Sequence, residues 1–238
     1  ELNPSGQMIG FLFIFITLKI NLIQEKSESL VFRMNIISIE TASDWCGIAF
    51  VKDGICFYKV EHQIPREHAE KLPIFYESLK DKTDLDKIDL DAIAISIGPG
   101  SFTGLRVGLG FAKGLAFAKD LPIVPVPTLH TIAANSELKG KFSVFLYSHR
   151  DIIYYQKFED SEAVTEEKAV AWSNLDHSGV GVHYQCNRLI TGENYKSVLP
   201  SVEKVGQLAE EHYESWVVNK PYDLVPNYIS PFELESKK

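Results

Sequence analysis

Residues Ile97 to Ala118 read IGPGSFTGLRVGLGFAKGLAFA, and the spacing of the small residues in this stretch governs how the rest of the chain is read. Gly98-Pro99-Gly100-Ser101 punctuates a loop, and a small-residue helix is predicted from about Phe102 to Ala118. Within it, Gly104, Gly108, Ala112 and Ala116 recur every fourth residue and form one stripe, while Gly110, Gly114 and Ala118 form a second at the same spacing. Glycine inside a helix costs about 1 kcal/mol relative to alanine, so something must offset it. Close approach of another backbone is the usual physical reason. One helix cannot turn both stripes to one sheet. Either stripe fits packing on the helix's own sheet, and the other leaves room for a second helix or another subunit.

The stretch before the glycine loop, Ala92 to Ile97, is a nearly continuous apolar run that predicts a buried strand. Further upstream, Ile36, Ile37 and Ile39, then Cys46 to Val51, then Ile55 to Val60 are separated by polar turns and read as a three-stranded antiparallel meander. From Glu67 to Lys80 a helical period places Ala69, Leu72, Phe75 or Tyr76, and Leu79 on one face, with Pro73 predicting a kink. Phe75 and Tyr76 read as surface aromatics there. Downstream, Leu121 to Val126 reads as a strand and Thr128 to Asn135 as a helix capped by Thr128; Phe142 to Tyr147 and Ile152 to Phe158 form another strand pair. The stretch from Glu159 to about Ser201 is polar and weakly periodic. Val202, Val205, Leu208 and Ala209 then mark a last amphipathic helix, and Pro221 to Pro231 an extended tail. An opening meander followed by alternating helices and strands indicates an α/β fold with mixed sheets, the arrangement of the actin-like (ribonuclease-H-like) nucleotide-binding superfamily.

Composition narrows the function classes. The 238 residues are 45% hydrophobic and 24% charged, so the chain is globular. A net charge of -8 opposes a polyanion, which argues against direct reading of nucleic acid. Cys46, Cys56 and Cys186 form no C-x-x-C pair, and a reduced cytoplasm fits them. In residues 1–33 the apolar run Ile9 to Leu18 is short of the about 20 residues a spanning helix needs and is interrupted by Lys19 and Asn21. Glu1 before Met8, and Glu25, Lys26 and Glu28 after the run, do not suit a signal peptide. These residues are read as an N-terminal extension outside the domain, with no membrane role.

Gly98-Pro99-Gly100-Ser101, at a strand end and helix start, has the form of an anion cradle, because unpaired helix amides attract phosphate. It lacks a P-loop lysine, and Ser101 is equally suited to capping its own helix.

In the same order, MNIISIETAS (from Met34), REHAEKLP (from Arg66), GPGSFTGLRVG (from Gly98) and PIVPVPTLHTIA (from Pro122) resemble the TsaB family over Met34 to Ala134. The C-terminal third matches only through the spacing of Pro226 and Tyr228. The resemblance implies an actin-like fold of two similar lobes, the second reduced: residues 34–134 form the first, and residues 135–238 the smaller lobe and tail. It implies a non-catalytic dimerisation subunit in the formation of tRNA N6-threonylcarbamoyladenosine. The partner would be a TsaD-like catalytic subunit, completed by a TsaE-like ATPase, with a homodimer as the alternative pairing and tRNA touched only indirectly. The docking surface would come from the two helices at Glu67–Lys80 and Phe102–Ala118, through Ala69, Leu72, Phe75, Tyr76, Gly104, Gly108, Phe111, Ala112 and Gly114.

Two departures bear on chemistry. Actin-like ATPases use an early Asp and a glycine-containing turn for phosphate, whereas this chain has Glu40-Thr41-Ala42-Ser43. Glu40, Thr41, Gly98, Gly100 and Ser101 therefore read as a vestigial nucleotide loop, with no cofactor expected. The catalytic relatives bind metal through histidines four apart on a helix, but His68 is followed at that spacing by Leu72, so no metal and no catalytic residue are assigned. Tyr147-Ser148-His149 and Arg150 stand where the family usually has an Asp-Ala-Arg turn. A small kinase, ATPase or metallopeptidase-like enzyme of the same fold is the rival reading, resting on fold analogy.

Overall fold

The computed structural model describes residues 33–229 apart from His177 and Thr191, so the reading of residues 1–32 as an extension lies outside the described residues, as does the end of the tail. The isoleucine-rich opening forms β1 (Asn35–Glu40), which runs antiparallel to β2 (Trp45–Lys52), itself antiparallel to β3 (Ile55–Gln63). After helix α1 (His68–Thr83), β4 (Ala92–Gly98) lies parallel to β1. Helix α2 (Phe102–Lys119) then crosses over to β5 (Ile123–Pro127), parallel to β4. The sheet order is β3-β2-β1-β4-β5.

Every residue of β4 is buried, because helices cover both faces of the sheet. On one face Ile37, Ile39, Ile93 and Ile95 pack with Leu72, Phe75 and Leu79 of α1 and Leu109, Ala112 and Ala116 of α2. On the other, Ile36, Ala92, Ala94, Val124 and Val126 meet Val205, Leu208 and Ala209 of α4 (Val202–Glu211). Helix α4 lies close: a methyl group added at Gly206 would stand 2.4 Å from Val51 Cγ2, and Ser38 Oγ donates to Val202 O at 2.8 Å. The short helix α5 (Tyr213–Trp216) follows, and Val218 bridges antiparallel to Ile123 on the same sheet.

Helix α3 (Thr128–Ser136) leads into a second sheet of β6 (Lys141–His149), β7 (Ile152–Glu159), β8 (Glu162–Ala163), β9 (Lys168–Ala171), β10 (Gly181–Tyr184) and β11 (Tyr195–Ser197). Its succession β9-β7-β6-β10-β11, antiparallel then parallel, repeats that of the first sheet, with β8 as an extra pairing on β7. Two sheets of one topology give the actin-like fold. Leu129, Ile132 and Ala133 of α3 cover one face of the second sheet against Phe142, Val144, Leu146, Phe158 and Val182.

Four details differ from the sequence reading. The stretch after Glu159 carries the strands β8 to β11, each only two to four residues long and thus too short to show alternation. Helix α4 returns to the first sheet instead of staying with the second. Thr128 is the first residue of α3 and not its cap; Pro127 holds the cap position, and no side chain caps the helix. The first helix runs through Pro73 to Thr83 and buries His68, Leu72, Phe75 and Leu79, leaving Ala69 exposed.

Candidate functional site

The β1–β2 turn and the loop between β4 and α2 meet at the ends of adjacent parallel strands, where open α/β sheets bind ligands. Here the two loops close on each other. Ser101 N donates to Ala42 O at 2.6 Å, and a Cβ at Gly100 would lie 2.2 Å from that carbonyl oxygen. The turn continues onto the first small-residue stripe of α2. A Cβ at Gly104 would meet Thr41 O at 2.1 Å, and one at Gly108 would meet Thr41 Oγ1 at 2.0 Å. These glycines let the chain's own turn lie against the helix, which offsets their cost in helix propensity.

The helix amides are satisfied from within as well. Ser101 Oγ accepts from Gly104 N at 3.2 Å, and Leu105 N donates to Ser101 O at 2.9 Å. On the far side of the loop the tail crosses Gly98: Asn227 N donates to Ile97 O at 2.8 Å, and Asn227 Nδ2 donates to Glu167 Oε1. The Ser101 amide is thus engaged by Ala42 O, and Ala42 and Asn227 lie directly against Gly100 and Gly98. Gly98, Gly100 and Ser101 form a closed seam instead of the anion cradle expected from their motif.

Glu40 ends β1 fully buried, accepting from Ala42 N at 2.6 Å and from the Ser96 hydroxyl. Burial raises its carboxyl to about 8, with Glu61 adding to the shift and the two hydrogen bonds opposing it. Thr41 beside it is also fully buried, and its hydroxyl has no partner among the described residues.

The docking residues named from sequence divide into two groups. Leu72, Phe75, Gly104, Gly108 and Ala112 are buried in the chain's own core, which corrects their assignment to a partner surface: the sheet takes the face that carries Leu105 and Leu109. Phe75 packs against His62, with ring centres 5.6 Å apart. Ala69 and Gly114 are exposed, and Tyr76 and Phe111 are half-buried and meet edge to face at 5.8 Å, locking α1 to α2. Nothing lies within 4 Å of a Cβ built at Gly110 or Gly114. Phe117, one turn on from Gly114, is exposed by 73% on this outer side of α2, an apolar residue beside the small ones.

The tail borders this face, and sequence reasoning missed it. Arg106 lies over the Phe102 ring at 3.7 Å and donates from Nε to Tyr228 OH at 3.0 Å, while Lys113 Nζ donates to Tyr222 O at 2.7 Å. The partners stand more than 100 residues apart, so no local pattern could announce them. A second long-range link joins the two sheets, with Tyr184 OH donating to Asp44 Oδ1 at 2.6 Å.

His68 places Nε2 3.1 Å from Trp45 O and is a buried helix-start residue. Among the described residues, Glu162, Glu211 and His212 bring potential ligand atoms within 4.8 Å of one another at the surface. His212 there stacks on Trp216 at 4.2 Å. His68→Ala is expected to leave the metal content of the purified chain unchanged, as read by elemental analysis. Loss of stoichiometric zinc or iron in that variant would overturn the assignment.

Residues 60–178 match the family model described as TsaD: tRNA N6-adenosine threonylcarbamoyltransferase. The tRNA threonylcarbamoyladenosine biosynthesis protein TsaB of Escherichia coli K12 is 38% identical over 107 residues, 45% of this chain and 46% of that protein. Its Bacillus subtilis 168 counterpart is 30% identical over 135 residues, 56% and 59% of the two chains. The chain spans about half the length of the curated relatives it matches. Among solved structures, YeaZ from Pseudomonas aeruginosa superposes with a TM-score of 0.69 at 21% identity, over 82% of this chain and 99% of that one, a likeness of fold.

Proposed function

We propose, because this chain belongs to the TsaB family within the wider group described by the threonylcarbamoyltransferase model, that it serves tRNA N6-threonylcarbamoyladenosine formation as a docking subunit and not as the catalyst. The observation that carries this is the pairing of a closed cleft with an open helical face. Ala42 and Asn227 lie directly against Gly100 and Gly98 of the loop, whereas Gly110 and Gly114 have open space above them, with the exposed Phe117 one turn on. A small-residue stripe of this kind lets a partner helix approach closely.

The partner is a TsaD-like catalytic subunit, with a TsaE-like ATPase completing the assembly and a second copy of this chain as the alternative occupant of the same face. The net charge of -8 leaves tRNA contact to those partners. The assembly works in the cytoplasm; among the described residues no helix is long and apolar enough to cross a membrane. The domain proper begins at Met34, with residues 34–134 as the first lobe and residues 135–238 as the second lobe and tail, from which α4 returns to pack on the first sheet.

The test is calorimetry with the full chain in the cell. Titrating a TsaD-like subunit is expected to give saturable 1:1 heat, and titrating ATP with Mg²⁺ to give none. An actin-like kinase would bind ATP in the micromolar range, about -8 kcal/mol. Saturable ATP heat with no partner heat would replace the docking reading by the enzyme reading.

A further inference from the structure

The first sheet has a second end. Where β1 begins and α1 finishes, away from the closed seam, the surface opens into a cavity of about 540 Å³, within the size range of small-molecule sites. Its floor is aromatic for a reason visible in the strand pairing. Phe50 pairs with Tyr58 and Val51 with Cys56, so a β-bulge leaves Phe57 without an opposing residue. A bulge re-aims a side chain. The Phe57 ring comes to 6.0 Å from Phe50 and remains 60% exposed at the cavity wall. Tyr58 on the same wall is held by a 3.1 Å hydrogen bond to Ser78 Oγ.

The rim is cationic in an acidic protein. Lys52, Lys82 and Lys87 line the cavity against a single lining carboxylate, Asp89, although the whole chain carries a net charge of -8. Lys87 is engaged with Asp84 at 3.3 Å. Lys52 and Lys82 are exposed and have no ion pair among the described residues. Lys82 also offsets the partial negative charge at the C-terminal end of α1. Asn35 completes the lining. Its Nδ2 donates to Asp89 O at 2.8 Å, which fixes the amide, and its Oδ1 is a buried acceptor without a partner.

An exposed aromatic face for stacking and two ammonium groups with no ion pair among the described residues are together what a planar base with an anionic group would use. We infer that this cavity, lined by Phe57, Lys52, Lys82 and Asn35, binds a free nucleotide, with the base on the Phe57 ring and the phosphate between Lys52 and Lys82. It lies at the opposite end of β1 from the closed loops and does not depend on the docking reading.

The probe is 5′-AMP titrated calorimetrically into the full chain, with adenosine, inorganic phosphate and a short single-stranded oligoribonucleotide as separate arms. AMP is expected to bind, and adenosine and phosphate each to bind about tenfold more weakly or worse, since each lacks half of the contacts. Phe57→Ala and Lys52→Gln are each expected to weaken AMP by about tenfold or more while leaving the melting temperature unchanged, because both side chains are exposed. Titration of a TsaD-like subunit into the same variants should be unaffected, so the two proposals can fail separately. No heat with AMP, or unchanged AMP affinity in both variants, would overturn the site. An oligoribonucleotide that outcompetes AMP would overturn its assignment to a free nucleotide.

Discussion

Gly108→Leu is expected to melt about 6–12 °C below the parent chain, whereas Gly114→Leu should melt at or slightly above it and lose its partner. The two positions lie on the same helix, six residues apart, yet meet opposite surroundings. At Gly108 the first carbon of any side chain already falls 2.0 Å from Thr41 Oγ1 and 3.1 Å from Ile95 Cδ1, and Thr41 is fully buried and cannot swing away. Overpacking a core costs typically about 1–3 kcal/mol, and four added carbons against a buried turn belong at the upper end. At this chain length each kcal/mol moves the midpoint by about 2–4 °C. At Gly114 nothing lies within 4 Å, so leucine adds no clash and removes a helix penalty of about 1 kcal/mol. The same bulk would stand where a partner helix must approach. Melting curves and partner titrations on both variants decide it. If both melt early, or both bind normally, α2 is not the docking surface.

That opposition also marks where sequence reasoning reached its limit. Two small-residue stripes were plain in the sequence, but small residues carry little hydrophobic contrast, so the spacing did not say which stripe faced the sheet. The larger neighbours decide it: Leu105 and Leu109 flank the buried stripe, whereas Phe117 projects from the open side. On α1 the same ambiguity misplaced Phe75, because the buried row starts at His68 and runs through Leu72, one step round from Ala69. The meander and the buried strand β4 were legible because short apolar runs rich in β-branched residues, bounded by polar turns, admit few alternatives. In the second sheet β10 has four residues and β11 three, and their burial depends on neighbours far along the chain. Helix α4 was legible as amphipathic, but its destination was not. That destination rests on Gly206, whose missing side chain admits Val51. The approach of Asn227 to Gly98 is a contact between the tail and β4, with nothing in either local pattern to signal it.

Glu40→Gln is expected to flatten the pH dependence of stability, leaving the chain nearly unchanged at pH 5 and more stable than the parent at pH 8.5 by up to about 5 kcal/mol. The native carboxyl is fully buried and its ionisation is raised to about 8 from 4.5, chiefly by loss of solvent, with Glu61 adding repulsion. The sign follows from proton counting. Between pH 4.5 and 8 the folded chain keeps a proton that the unfolded chain has released, so stability from this group is complete below 4.5, declines through that window and is lost above 8. A shift of 3.5 units corresponds to about 5 kcal/mol at 1.36 kcal/mol per unit. Glutamine has the shape of the protonated acid: its oxygen can accept from Ala42 N, and its amide can donate to the Ser96 hydroxyl that Glu40 contacts. It cannot ionise, so it lacks the high-pH penalty. Chemical denaturation of both chains at pH 5, 7 and 8.5 measures the difference directly. The variant's advantage must grow with pH. If the two stability profiles run parallel across that range, Glu40 ionises as an ordinary carboxylate despite its burial.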